Sequence, residues 1–272
     1  MGKTELEIRP SGAALGAEVV GLDLGQEPDA AAAEALRRAF LRHSVILFRG
    51  QELSKRRQVD FCRLFGEPVP HPTNVRDRDP EAPEICIIAN GQEGGAGALG
   101  SDEVAYHADL VFLHEPGAVS MLYCLETPAG GDTWWTSGYA AYEALDAAER
   151  ARLRGLKAVY RHRRPEYNPP VPAAHPLVCA HPESGRRTLF LSPGSARSVA
   201  GMDGAGGDEL INRLADYMTQ ERFAWRHAWR PGDLVVWDNR CTLHRRDGFD
   251  PAARRYMRRV QTLGPPHNGQ PD

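Results

Sequence analysis

The sequence predicts a mixed α+β protein that is mainly β, with a jelly roll at its centre and flanking helices. Many short apolar stretches alternate with turn residues, whereas only a few stretches repeat with helical periodicity. Chemically distinctive residues that could share one site lie far apart in the chain, as a closed β-sandwich allows. Composition does not change along the chain and no repeat is visible, so residues 1–272 are expected to form a single domain.

The first third of the chain is predicted to combine strands with two helices. Asp29 and Ser54 are residue types that favour helix N-caps, and Gly66 is typical of a position just beyond a helix. The predicted elements are two strands within 5–24, a helix at about 29–42, a strand at 45–48, a helix at about 55–65 and a strand at 85–88.

The remainder is predicted to be richer in strands. Asp208 is expected to cap a helix whose apolar stripe contains Leu210, Leu214 and Tyr217, and this stripe is interpreted as core packing. A further helix is predicted at about 138–153. The predicted strands are 119–124, 133–136, 176–180, 188–192, 222–229, 233–237 and 255–263.

Three segments are predicted to lack regular structure. Residues 90–103 are rich in Gly and form either a surface turn or a lid over the substrate; direct continuity with the next strand favours the lid. Residues 162–175 are Pro-rich and basic and are expected to form a loop between strands. The tail 265–272 is expected to be disordered.

The bulk composition excludes several function classes. The chain of 272 residues has a net charge of −3, which gives no electrostatic basis for nucleic-acid binding. No apolar run reaches membrane-spanning length, and the first residues contain no apolar signal core. Five cysteines without a CxxC motif fit a reducing cytoplasm. The expected partner is a small-molecule substrate, and the sequence leaves open whether the chain forms a homo-oligomer.

The segment Tyr106-His107-Ala108-Asp109 contains the first candidate metal ligands. His107 and Asp109 are two residues apart, so one strand could present both side chains on the same face. His-x-Asp is a weak signal by itself, because most histidines are structural. His244 would complete a set of two imidazoles and one carboxylate, which leaves positions open on a non-haem Fe(II) ion.

A second group of residues predicts a site for an organic anion next to the metal. Arg255 follows His244 by eleven residues, and an inward-facing Arg is costly unless it meets an anion. Its planar guanidinium can bind a carboxylate in a bidentate manner. Thr133 could donate its hydroxyl to the same carboxylate.

Taken together, these stretches resemble the taurine dioxygenase/chlorophenoxyacetate dioxygenase (TauD/TfdA) family of Fe(II)- and 2-oxoglutarate-dependent enzymes. The order and spacing of the matching stretches follow the family over about residues 7–264, and the resemblance implies a double-stranded β-helix, which is a jelly roll. The matching stretches are YHADLVF (106–112), TPAGGDTWWTSGYAAYEAL (127–145), HPLVCAHPESGRRTLFLSPG (175–194) and WDNRCTLHRR with RRYMRRVQTLG (237–264).

The resemblance assigns roles to individual residues. It implies that His107, Asp109 and His244 bind iron, and that Thr133 and Arg255 hold the distal carboxylate of 2-oxoglutarate. Three further positions are implied to contact the prime substrate: His71, Glu103 and Arg259. Arg259 matches a position that often meets an anionic group, and Glu103 could meet an amine.

The implied reaction is hydroxylation of an aliphatic C–H bond of a small anionic substrate by O2, with succinate and CO2 as co-products. Tyr106, Glu103 and Ser195 depart from the family pattern and argue against taurine itself as the substrate. Two alternatives stay open. One is an oxygenase of specialised metabolism that hydroxylates, desaturates or cyclises an amino acid or larger intermediate. The other is a non-catalytic metal-binding jelly roll.

Overall fold

A computed structural model describes residues 6–90 and 100–267 of the chain. Strands dominate these two ranges, in agreement with the predicted fold class, and five α-helices accompany them. The α-helices of the described ranges are α1 (Ala30–His43), α2 (Lys55–Cys62), α3 (Gly138–Glu143), α4 (Ala147–Leu153) and α5 (Gly204–Met218).

The strands are mostly short, as the alternation of apolar runs and turns predicted. In chain order they are β1 (Glu7–Pro10), β2 (Ala17–Val20), β3 (Val45–Phe48), β4 (Pro68–Val69), β5 (Ile85–Ala89), β6 (Val104–His107), β7 (Gly117–Glu126), β8 (Thr133–Ser137), β9 (Lys157–Tyr160), β10 (Ala173–Pro176), β11 (Val178–Ala180), β12 (Arg187–Leu189), β13 (Ala196–Val199), β14 (Ala224–His227), β15 (Leu234–Asp238), β16 (Thr242–Arg246) and β17 (Tyr256–Leu263).

Two sheets form the jelly roll. The larger sheet has the order β1-β2-β3-β15-β7-β17-β4, with β5 also paired to β17, and the smaller sheet has the order β14-β8-β16-β6. Apolar side chains from both sheets meet between them, among them Trp135 of β8 and Trp237 of β15, which are at most 2% exposed. A second core lies where α1 and α2 cover the outer face of the larger sheet.

Capping explains where the first two helices begin. The Asp29 side chain accepts a hydrogen bond from the backbone N–H of Ala32, and Ser54 does the same for Arg57. Both predicted caps are therefore confirmed. Helix α1 ends at His43, and its C-cap Ser44 has a left-handed φ of 63° that turns the chain into β3.

Two helix predictions were wrong in detail. The single helix predicted over 138–153 is two helices, because the Asp146 carboxylate accepts a hydrogen bond from Glu149 N–H and starts α4 anew. The cap of α5 is Asp203 and not Asp208, which lies inside the helix. The glycines after Asp203 concealed this start, since Gly has a poor helix propensity.

The predicted loops fall partly within the described ranges. Residues 91–99 lie outside the described ranges, and so does most of the predicted lid or surface turn at 90–103. Residues 268–272 also lie outside them, and they make up most of the tail that was predicted to be disordered. The Pro-rich segment is ordered by Asn168, whose side chain exchanges hydrogen bonds with the backbone of His162 at 2.7 and 3.0 Å. The last described residue, His267, packs on Phe190 with ring centroids 4.1 Å apart.

All five cysteines are free and buried, consistent with small core residues. Burial raises the pKa of the thiols of Cys62 and Cys124 to about 12. Among the helices of the described ranges, none is long and apolar enough to cross a membrane.

Candidate active site

The site forms where the end of β6 meets β16. His107 is the last residue of β6, and the ladder pairs it directly with His244 of β16. Asp109 was expected to share the strand of His107. It lies instead in the turn that follows, where the next residue, Leu110, has a φ of 54°. This turn brings the carboxylate back towards both imidazoles.

The three candidate ligands converge on one point. One donor atom from each of His107, Asp109 and His244 lies within 4.8 Å of the others. Asp109 Oδ1 is 3.7 Å from His107 Nε2 and 3.9 Å from His244 Nε2. These separations allow one metal ion to contact all three atoms, and the donor set of two imidazoles and one carboxylate suits non-haem Fe(II).

The second oxygen of Asp109 is held by the protein. Ser120 Oγ and Gln261 Nε2 each donate to Asp109 Oδ2 at 2.7 Å. Asn239 accepts a hydrogen bond from the Asp109 backbone N–H at 3.1 Å and donates to Ser120 Oγ at 2.8 Å. Ser120, Asn239 and Gln261 are all at most 2% exposed.

Electrostatics keep Asp109 and His244 in the protonation states that a metal requires. Burial raises the pKa of Asp109, but His244 and Arg259 outweigh it and lower the pKa below its ordinary value. Burial and the neighbouring His107 lower the pKa of His244 to about 3. The carboxylate is therefore ionised and the His244 imidazole neutral near pH 7, as metal binding requires.

Arg255 has the properties expected of an anion anchor. Only 3% of the residue is exposed, and its Nε has no hydrogen-bond partner among the described residues. Burial and the nearby Arg246 lower the pKa of Arg255. Asn90 fixes the backbone by accepting from Arg255 N–H at 2.8 Å. A buried cation of this kind fits an anionic ligand such as the carboxylate of 2-oxoglutarate.

Thr133 and Arg255 share a neighbour, Arg246. The β8–β16 ladder pairs Thr133 with Arg246. The guanidinium carbons of Arg246 and Arg255 lie 5.0 and 5.8 Å from the ring centroid of Phe249. Thr133 Oγ1 accepts a hydrogen bond from Trp229 Nε1 at 2.9 Å, so its own proton is available to an acceptor such as a carboxylate.

Arg259 and His71 lie near Asp109. Arg259 is 8% exposed, and its guanidinium is 3.6 Å from Asp109 Oδ1. Burial and Arg259 lower the pKa of His71 to about 3, so its imidazole is neutral near pH 7. His71 Nδ1 accepts from the backbone N–H groups of Thr73 and Asn74 at 3.3 and 3.0 Å. The proton of His71 is thus on Nε2, where it can be donated.

Glu103, the remaining candidate substrate contact, is placed differently. Its side chain is 64% exposed, and its carboxylate lies 3.4 Å from Arg245. Arg245 also stacks on Trp134, with its guanidinium carbon 4.8 Å from the ring centroid. The role of Glu103 in binding a substrate amine stays a prediction.

Sequence reasoning missed the residues around Asp109, namely Ser120, Asn239 and Gln261, and it missed Arg246 beside the anchor. Ser120 is an isolated polar residue within the apolar strand β7, and a polar side chain that faces the core was a signal that could have been followed. Gln261 lies in β17 together with Arg258, Arg259 and Thr262, so its polarity alone was no such signal. The partner of each depends on strand register, which the sequence does not contain.

Comparison with known proteins agrees with this geometry. Residues 7–261 match the family model described as "Taurine catabolism dioxygenase TauD, TfdA family". The chain is 34% identical to the alpha-ketoglutarate-dependent 2,4-dichlorophenoxyacetate dioxygenase of Cupriavidus pinatubonensis, over 91% of this chain and 94% of that protein. It is 29% identical to the pentalenolactone F synthase of Streptomyces arenae, over 95% of each chain.

A solved structure extends the similarity to the fold. The crystal structure of a taurine dioxygenase from Burkholderia xenovorans superimposes with a TM-score of 0.85 at 32% sequence identity. The match covers 97% of this chain and 91% of that one. The family match, the shared fold and the triad of His107, Asp109 and His244 all agree. The chain belongs to the TauD/TfdA family of alpha-ketoglutarate-dependent dioxygenases.

Proposed function

We propose that this dioxygenase hydroxylates an aliphatic C–H bond of a small, polar, anionic substrate and releases succinate and CO2. The observation that carries the proposal is the position of Arg259. Its buried guanidinium lies 3.6 Å from the metal-ligand oxygen Asp109 Oδ1, so an anion that it binds would sit beside the metal. A desolvated guanidinium favours a carboxylate, sulfonate or sulfate group.

His71 would bind the same anion as a neutral donor. With Nδ1 occupied by two backbone N–H groups, Nε2 carries the proton, and the low pKa of about 3 keeps the ring uncharged near pH 7. One cation and one neutral donor match a singly charged head group. The names of two related proteins, which refer to taurine and to a phenoxyacetate, denote compounds with such a group.

Arg255 and Thr133 would hold 2-oxoglutarate by its distal carboxylate. Among the described residues no carboxylate pairs with the buried Arg255, so the co-substrate would supply its counter-charge, and Thr133 would add a hydroxyl donor. Bound Fe(II), together with 2-oxoglutarate and O2, supplies the oxidising chemistry. The protein would orient the two organic anions beside the triad.

The first test is replacement of Arg259. We expect Arg259→Met to raise KM for an anionic substrate by about 100-fold, as loss of one partner of a buried charge pair does, with anaerobic 2-oxoglutarate binding unchanged. Arg258→Met is the matched control, because Arg258 belongs to the same strand but contacts Tyr123 and the Leu53 carbonyl. An unchanged KM in Arg259→Met would contradict the proposal.

A second candidate function is oxidation of a larger biosynthetic intermediate, which the similarity to pentalenolactone F synthase favours. Succinate formation should be measured against sulfonates, sulfate esters and phenoxyacetates, and separately against amino acids and apolar lactones. If sulfonates, sulfate esters or phenoxyacetates stimulate succinate formation, and the stimulation is lost in Arg259→Met, the proposed function is supported. If only amino acids or apolar lactones stimulate succinate formation, and Arg259→Met has no effect on it, the biosynthetic alternative is supported.

A further inference from the structure

We propose that Gln261 and Ser120 are positioning residues that restrict Asp109 to binding the metal ion through one oxygen, Oδ1. The inference depends on the metal triad and is independent of which substrate the enzyme oxidises. It concerns three side chains that are at most 7% exposed and are in direct contact with one another.

The two oxygens of Asp109 have different surroundings. Oδ1 faces His107 Nε2 and His244 Nε2 at 3.7 and 3.9 Å, in the direction of the metal site. Oδ2 accepts hydrogen bonds from Ser120 and Gln261, both at 2.7 Å. Rotation of the carboxylate to bring Oδ2 to the metal would break two short buried hydrogen bonds.

Among the atoms that contact Ser120 Oγ, only one can accept its hydroxyl proton in a hydrogen bond. Ser120 Oγ is 2.8 Å from Asn239 Nδ2 and 2.8 Å from Gln261 Nε2, and both nitrogens are donors. Its lone pairs are therefore engaged, and its proton must point to the one acceptor nearby, Asp109 Oδ2. Asn239 Oδ1 accepts from the Asp109 backbone N–H, which fixes the orientation of that amide.

The orientation of Gln261 is set in the same way. Its Oε1 has no hydrogen-bond partner among the described residues, so this oxygen does not determine how the amide lies. A flipped amide would place Oε1 against Asp109 Oδ2 and oppose two acceptors. Only the observed orientation directs a donor to the carboxylate.

The strands of the larger sheet create this arrangement. Gln261 of β17 lies directly opposite Ser120 of β7 in the ladder, and both face the turn that carries Asp109. The larger sheet thus supports a ligand that belongs to the turn after β6. Groups that orient a metal ligand in this way usually influence metal affinity strongly.

A one-oxygen carboxylate leaves more of the ion free for other ligands. A carboxylate that contacts the ion through both oxygens occupies an additional position, which 2-oxoglutarate or O2 would otherwise use. Gln261 and Ser120 would therefore maintain the open positions on which the reaction depends.

The test is Gln261→Leu, with Co(II) as a spectroscopic probe and Mn(II) for calorimetry. We expect Mn(II) affinity to fall by about ten- to a hundredfold. The visible Co(II) spectrum should change, because the second oxygen of Asp109 would replace another ligand of the ion. Gln58→Leu is the matched control, because Gln58 is also fully buried and contacts β17, through the Arg258 carbonyl, but does not contact Asp109.

Ser120→Ala provides a second variant if Gln261→Leu does not fold. It should change the Mn(II) affinity and the Co(II) spectrum in the same direction as Gln261→Leu. The inference is overturned if folded Gln261→Leu or Ser120→Ala has the Mn(II) affinity and Co(II) spectrum of the wild type. It is also overturned if Gln58→Leu alters the Mn(II) affinity and the Co(II) spectrum as much as Gln261→Leu does. Failure of the wild-type protein to bind Co(II) or Mn(II) would instead contradict the triad itself, so the two failures are distinguishable.

Discussion

At the scale of single residues, Arg255 is a buried cation that the fold alone does not explain. Its guanidinium is buried, and no carboxylate of the described ranges forms a salt bridge with it. A buried charge without a counter-ion destabilises the apo-protein. The proposed role of Arg255 as an anchor for 2-oxoglutarate would explain why this cation is buried.

We expect Arg255→Leu to weaken 2-oxoglutarate binding by about 100-fold, because one partner of a buried charge pair is removed. The melting temperature of the apo-protein should stay unchanged or rise, since an apolar side chain replaces a desolvated cation. Anaerobic calorimetry with Mn(II) and 2-oxoglutarate measures the first effect and thermal denaturation the second.

Arg254→Leu is the control for this prediction, because Arg254 is half-exposed and pairs with Glu126 at 3.0 Å. A large loss of co-substrate affinity in Arg254→Leu, or none in Arg255→Leu, would show that the anchor lies elsewhere.

The sequence was informative about residues whose chemistry is conspicuous. The spacing of His107, Asp109 and His244, the Arg that follows them and the resemblance to the TauD/TfdA family together predicted the triad and the proposed anchor. It was insufficient for Gln261, whose role arises because β17 places it opposite Ser120. Register and side-chain direction determine that contact, and neither is a local property of the chain.

At the scale of elements, the turn after β6 depends on the start of β7. A Cβ added to Gly117 would lie 2.7 Å from the Asp109 carbonyl oxygen and 3.3 Å from the Asp109 Cβ. The turn can therefore pack against β7 only if residue 117 has no side chain. In this way a glycine of one strand controls the position of a metal ligand in another element.

We expect Gly117→Ala to push the Asp109 backbone away from β7, and thereby to lower both the melting temperature and the Mn(II) affinity. Gly194→Ala is the control, because a Cβ at Gly194 would meet no atom within 4 Å and its φ is not left-handed. Thermal denaturation and calorimetry should be run on both variants. Wild-type metal affinity in Gly117→Ala would contradict the expected displacement.

Local signals predicted most elements well, and their failures have physical reasons. Asp29 and Ser54 were recognised as caps because they precede stretches of good helix-forming residues. Asp203 was missed because glycines follow it, although Gly207 packs closely against Val199 and a larger residue would not fit easily there. Strands β4, β9, β13 and β16 were also missed, although β16 carries His244, since their pairings with other strands are long-range contacts.

At the scale of the whole molecule, buried histidines link stability to pH. Burial lowers the pKa values of His71, His244 and His267 to about 3, from an ordinary value of 6.5. At pH values between about 3 and 6.5, these histidines bind more protons in the unfolded chain than in the folded protein. The free energy of unfolding is therefore unaffected by these histidines above about pH 6.5, and it decreases progressively as the pH falls towards about 3.

We therefore expect the melting temperature of the apo-protein to fall between pH 7 and pH 5. His267→Asn should reduce this dependence, because it removes one buried group that resists protonation. His114→Asn, at an exposed position, should leave the dependence as it is in the wild type. Thermal denaturation across this pH range measures the effect, and a melting temperature that is constant down to pH 5 would refute it.

The burial of every cysteine makes the native protein convenient for labelling. None of the five thiols is more than 2% exposed, and burial raises the pKa of each, so thiol-reactive dyes should leave the folded chain unmodified. A single cysteine introduced at Val171, which is 67% exposed in the Pro-rich segment, would then be the only position to react. A fluorophore there could follow the surroundings of that segment during turnover without prior removal of the native cysteines.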